Sequence, residues 1–270
     1  GSHGLLDDTP VKRLNPAQNA SGASNGLMGS AGTTAVWAEE NTRAAIFDAM
    51  KRKETYGTSG TMIRLRFFGG WNYPQELTAD NNFVQQAYEG GVPMGGDLAA
   101  KPDGANAPTF AVWALKDPES GNLDRVQIIK SFVNKWGLAG EKIYDVVWSG
   151  DRKHNPATGK LPPVGNTVDL KTAKYTNDIG VTQLKGVWSD PDFDPMQRAA
   201  YYVRVLEIPT PRWTTYDAVR NNLPLLTDVP ATIQERAWSS PIWYTPEKDL
   251  LIEAKLKKIT GHTWGPASTE

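Results

Sequence analysis

From Met62 onward the apolar positions recur every second residue: Ile63, Leu65 and Phe67 alternate with Arg64, Arg66 and Phe68. A period of two places neighbouring side chains on opposite faces of an extended strand, whereas a helix repeats near 3.6. The same pattern predicts strands over Thr109–Leu115, Asp124–Lys130, Lys142–Trp148, Gln183–Trp188, Tyr201–Leu206 and Ala237–Tyr244. Turn-forming runs separate them: Pro93-Met94-Gly95-Gly96, Ser120-Gly121-Asn122, Gly150-Asp151, Asn155-Pro156 and Thr158-Gly159-Lys160. About seven short strands broken by such turns read as an antiparallel sandwich. The expected fold is therefore mainly β, an immunoglobulin-like antiparallel β-sandwich with an N-terminal helix and a short C-terminal helix. Tyr201 and Tyr202 stand where a tyrosine corner would in such folds. Ile63, Leu65, Val112, Val126, Ile128, Val203 and Val205 lie on the alternating apolar faces and are the predicted core.

Composition agrees. The 270 residues include 25 Gly and 19 Pro, too many turn formers for a helical bundle, and ten Trp and nine Tyr, residues that favour strands. A formal charge of −1 gives no electrostatic reason to expect nucleic acid or an anionic membrane as partner. With no cysteine, disulfides, thiolate zinc sites and cysteine nucleophiles are excluded. No apolar run approaches the length that spans a bilayer. Gly1-Ser2-His3 looks like the scar of a removed tag, a native His3 being the alternative.

The flanks read differently. Residues 4 to about 35 are loop-like, with a small-polar tract from Asn19 to Gly26. A helix follows, with Asn41 as N-cap, Ile46, Ala49, Met50 and Lys53 on one face, and Gly57 and Gly60 ending the pattern. Ile208 to Arg236, holding Pro209, Pro211, Pro224 and Pro230, reads as a long connection, either functional or pinned on another surface. Thr245 caps a last helix with Ile252, Leu256 and Ile259 on one face. The expected divisions are 1–60 (linker and first helix), 61–246 (sandwich) and 247–270 (C-terminal helix and tail).

Chemistry-bearing residues are sparse. His3, His154 and His262 are scattered and form no pair with metal-ligand spacing. The densest acidic run, Asp190-Pro191-Asp192-Phe193-Asp194-Pro195, opens like a calcium loop, but its sixth position is Pro195 and its twelfth is Tyr201. The other reading is a Pro-fixed turn whose carboxylates cap backbone N–H groups. Glu39-Glu40 is either catalytic or a favourable charge near a helix N-terminus. Tyr56-Gly57-Thr58-Ser59-Gly60 sets two hydroxyls between glycines at a helix-to-strand junction, either a plain turn or a loop that lines a pocket or holds an anion on its N–H groups. It lacks a P-loop lysine, and no histidine near Ser59 completes a triad. No residue is assigned a catalytic or metal-ligating role. Arg43, Tyr56, Thr58 and Ser59 are the substrate-pocket candidates.

Several segments resemble the uncharacterised-domain family three-six-zero-four, related to the PHP (polymerase and histidinol phosphatase) metal-dependent hydrolases. They are Trp37 to Met50, Glu54 to Gly60, Arg66 to Trp71, Asp190 to Pro195, Tyr201 to Asp217 and Glu235 to Trp243. The resemblance covers most of Trp37 to Pro246. It implies a longer parent, periplasmic or secreted, whose N-terminal barrel carries a divalent metal and the His-rich ligands. The present chain would be the C-terminal part: the last barrel helix, near Asn41 to Lys53, then the sandwich. The barrel would be its partner, no cofactor would be held here, and the chain would be inactive alone. The alternative is a non-catalytic module that binds a glycan or protein through exposed aromatics.

Overall fold

A computed structural model describes residues 9–14, 25–27, 29, 32–134 and 137–246. The strands among them are β1 (Thr33–Val36), β2 (Thr55–Thr58), β3 (Arg64–Gly70), β4 (Gly91–Pro93), β5 (Thr109–Leu115) and β6 (Leu123–Val133). Then come β7 (Ala139–Trp148), β8 (Gln183–Ser189), β9 (Arg198–Pro211), β10 (Thr232–Ser239) and β11 (Ile242–Tyr244). The helices are α1 (Pro10–Arg13), α2 (Arg43–Lys51), α3 (Phe83–Glu89) and α4 (Trp213–Arg220).

Two antiparallel sheets form the sandwich. The larger runs β1-β2-β10-β9-β6-β7, with β11 pairing the β10 side of β9 further along. The smaller runs β4-β3-β5-β8. All seven predicted core residues are at most 1% exposed and lie between the sheets, with Phe67, Phe110, Tyr201 and Ala237. Alternation on β3, β5, β6 and β9 is what sends these side chains to one face. The outer face of the smaller sheet is covered as well. Phe68 and Ala111 pack under Leu77, Phe83 and Ala87, and Tyr73 donates its hydroxyl to Ala87 O at 2.5 Å. This third layer explains why Phe68 is apolar where the alternation calls for a polar residue.

Several expectations need correction. The α2 N-cap is Thr42, whose hydroxyl accepts from Ala45 N at 3.3 Å, and not Asn41. Ala49 is buried and Ala45 and Ile46 half-buried, but Met50 is 55% exposed. Lys53 is not on the helix face. It takes φ 61° just past the C-cap Arg52, the left-handed residue that ends many helices. The connection from Ile208 to Arg236 is shorter, because β9 runs on to Pro211, β10 begins at Thr232, and α4 lies between. Tyr201 is no corner residue. It sits inside β9 and donates to Asp190 Oδ2 at 2.7 Å, while Tyr202 is half-buried beside it. The expected C-terminal helix, with His3 and His262, lies outside the described residues.

β1 and β2 belong to the larger sheet, so the sheet crosses the expected division at residue 60. They are tied to the smaller sheet too. Arg66 lies 3.4 Å over the Trp37 ring, Trp37 Nε1 donates to Leu65 O at 2.8 Å, and buried Glu54 accepts from the Tyr88 hydroxyl and faces Arg66. Gly95 is required here: at φ 88°, a Cβ would meet Lys53 O at 2.3 Å. No described helix is long and apolar enough to cross a membrane.

Candidate functional site

The first three residues of the expected pocket turn are strand, and the chain bends only at Ser59 and Gly60. Tyr56, Gly57 and Thr58 pair with β1 on one side, and Gly57 and Thr58 face Trp238 and Ala237 of β10 on the other. Tyr56 and Thr58 point inward and are buried, and desolvation raises the Tyr56 pKa. Thr58 Oγ1 accepts from Gly60 N at 3.2 Å. Ser59, half-buried, donates its hydroxyl to Glu235 and accepts from Arg236 N at 2.8 Å. Arg43 is apart from these three, exposed at the first position of α2.

Ser59 opens onto a cluster that the sequence reading did not select. Opposite Glu235 the register of β10 and β9 slips: Gln234 faces Pro209 and Arg236 faces Leu206, so Glu235 opposes both Glu207 and Ile208. On the other edge of β9, Asp124 is the extra residue between Leu123, opposite Glu207, and Arg125, opposite Leu206. Two bulges thus flank one point of β9 and re-aim its side chains. Glu207 and Asp124 are each 0% exposed.

These two carboxylates sit in opposite environments. Asp124 accepts from Arg152 Nη2 at 2.7 Å, Arg125 Nε at 3.1 Å and Gln234 Nε2 at 3.0 Å. Glu207 accepts from Ser120 Oγ at 2.6 Å, and among the described residues no cation stands beside it. Burial raises its pKa to about 7, the hydroxyls of Ser120 and Thr61 oppose that, and the charges of Glu235 and Asp117 add to it. Thr61 lies near enough to be felt but outside hydrogen-bonding geometry. Glu207 Oε1 and Thr61 Oγ1 are both buried without a hydrogen-bond partner. The arrangement holds a proton near neutral pH, and the Ser120-Gly121-Asn122 loop closes it from solvent. Gly121 fits because a Cβ there would come within 3.1 Å of Ile208 and Thr210.

At the other end of the sandwich, the Asp190–Pro195 run is a plug. Asp190 Oδ2 accepts from Lys130 Nζ at 2.6 Å and from Tyr201, and Asp190 Oδ1 accepts from Asp192 N at 2.9 Å. Asp192 Oδ2 accepts from Tyr144 at 2.7 Å and pairs with Lys142 at 3.0 Å; the Tyr144 bond, then Lys142, holds its pKa low. Asp194 Oδ1 accepts from Met196 N at 2.8 Å. These carboxylates are occupied by protein donors, two of them capping backbone N–H groups as a Pro-fixed turn would. His154, the one histidine among the described residues, lies 3.6 Å from Asp145 and against Trp148. Among the described residues no three His, Cys, Asp or Glu converge to hold a metal.

No curated protein and no solved structure matches the chain. A family described as a protein of unknown function, DUF3604, matches residues 2–246, nearly the whole chain and all of the sandwich. The chain belongs to that family.

Proposed function

We propose that this chain is the non-catalytic sandwich portion of a PHP-related metal-dependent hydrolase, which cleaves a phosphoester or similar ester with metal-activated water in a separate N-terminal domain. One observation carries the reading. Arg43, Phe47 and Met50 fall at i, i+4 and i+7 of α2, one stripe of the helix, and Phe47 is 62% and Met50 55% exposed. The adjoining stripe, Ala45, Ile46 and Ala49, faces the sandwich. A short helix whose apolar surface runs past its buried stripe into solvent serves two neighbours, and the hydrolase domain is the second. Arg43 heads the outer stripe, where it can reach an anionic substrate at the seam. Ser59 is the other pocket candidate with a solvent-facing side, whereas Tyr56 and Thr58 support it from the core.

The test is turnover of p-nitrophenyl phosphate with manganese or zinc, by this chain and by a polypeptide carrying the upstream domain. The longer polypeptide is expected to be active and this chain inert. Phe47→Asp in the longer polypeptide should lower turnover at least tenfold, about 1.4 kcal/mol of barrier. Metal-dependent turnover by this chain alone would refute the reading.

A further inference from the structure

A trough of about 650 Å³ crosses four strands at one end of the larger sheet, away from α2 and from Glu207. Its geometry follows from the register. Glu141 of β7 faces Ser131 of β6, Ser131 faces Ala200 of β9, and Ala200 faces Trp243 of β11. The row therefore spans three interstrand spacings, about 14 Å. Phe132, Ala199 and Tyr244 point to the core, so their neighbours in this row point outward. The floor is small, Ser131 and Ala200. The Trp243 ring, 43% exposed, forms one wall, and exposed Glu141 stands at the far side. Exposed Arg198 lies one row along, opposite Val133. The side chains of Glu141 and Arg198 have no hydrogen bond or ion pair to any described residue.

The wall is rigidly mounted. β11 pairs β9 on one side, while Trp243 N donates to Gly96 O at 3.0 Å and Trp243 O accepts from Leu98 N at 2.8 Å on the other. An exposed indole on a backbone fixed from both sides is a preorganised platform, with little ordering cost on binding.

We infer that this trough binds a short neutral oligosaccharide, stacked on Trp243, with its hydroxyls bonded to Glu141, Arg198 and Ser131. The chemistry separates this ligand from others. A sugar ring offers an apolar face to the indole and hydroxyl edges to the rim. The carboxylate and the guanidinium each present two adjacent polar atoms to neighbouring hydroxyls. Among the described residues the rim carries one charge of each sign, Glu141 and Arg198, which gives no excess positive charge to attract polyanions or acidic lipids. The trough's floor is a sheet face, which presents side chains rather than free backbone groups, and that disfavours a peptide adding as a further strand. The inference is independent of the hydrolase reading.

The test is calorimetry of the whole chain with cellohexaose, xylohexaose and maltohexaose, and with polygalacturonate as an acidic comparator. At least one neutral hexaose should bind. Trp243→Ala should weaken it at least tenfold and Glu141→Gln about threefold, with the melting temperature of Glu141→Gln unchanged. The inference is overturned if no neutral hexaose binds at millimolar concentration, if polygalacturonate alone binds, or if Trp243→Ala binds as well as the parent chain. Sedimentation showing a dimer that Trp243→Ala abolishes would give the face to a second copy of the chain, and would overturn it too.

Discussion

Glu207 and Lys130 each place a charge where the strand period calls for an apolar side chain. Tyr201, Val203, Val205 and Glu207 follow one another on the inner face of β9, as Val126, Ile128 and Lys130 do on β6. Both were legible in the sequence as breaks in a period of two, a signal easily lost when only apolar positions are followed. Their outcomes differ. Lys130 meets Asp190, whereas Glu207 meets hydroxyls and other acids. The folded pKa of Glu207, about 7, lies above the ordinary 4.5, so the folded state holds more protons between those values. Its stability contribution is complete below pH 4.5 and is lost as pH rises to about 7, a loss of about 3 kcal/mol. Glu207→Gln should remove that loss. Urea unfolding at pH 5 and pH 8 should show the variant gaining on the parent chain at the higher pH. An equal difference at both pH values would mean that Glu207 titrates normally. Asp124 was hidden for another reason: its burial depends on a bulge and on Arg152, 28 residues away, which no local pattern reveals.

Strands whose alternation is regular were readable, and β5 was placed to the residue. Short elements were not. β1 has four residues beside a small-polar tract, and β2 runs into the Gly57-Thr58-Ser59-Gly60 sequence of a turn. Pairing with β10 overrides that propensity, because β2 sits between two strands that satisfy its backbone. α4 was masked by the prolines around it, though none lies within its span. Among the elements, the Asp190–Pro195 plug is held most sharply, by a Lys130–Asp190 pair whose side chains are 2% and 0% exposed. Removing one partner of such a pair strands the other charge. Lys130→Met should lower the unfolding free energy by about 3–5 kcal/mol in urea. Lys130→Met with Asp190→Leu should recover much of it. A single variant as stable as the parent chain would mean that solvent reaches Asp190.

At the scale of the described molecule, two sheets enclose one core and a third layer closes a second, smaller one on the outer face of the smaller sheet. The sandwich itself followed from strand period and turn composition. The division near residue 60 did not, because β1 and β2 join their sheet through partners some 180 residues later in the chain, as in Tyr56 opposite Ser239. The four pocket candidates came from local sequence, and only Ser59 proved to adjoin the buried acidic cluster. What distinguishes that cluster, a bulge opposite Glu235 and a carboxylate without a cation, is a property of register and burial. Under the proposed function, the hydrolytic metal belongs to a different domain. Elemental analysis of this chain after equilibration with zinc, manganese and iron and exhaustive dialysis tests it directly. Well under one metal ion per chain is expected, and near-stoichiometric retention of any of the three would place a metal site in the sandwich instead.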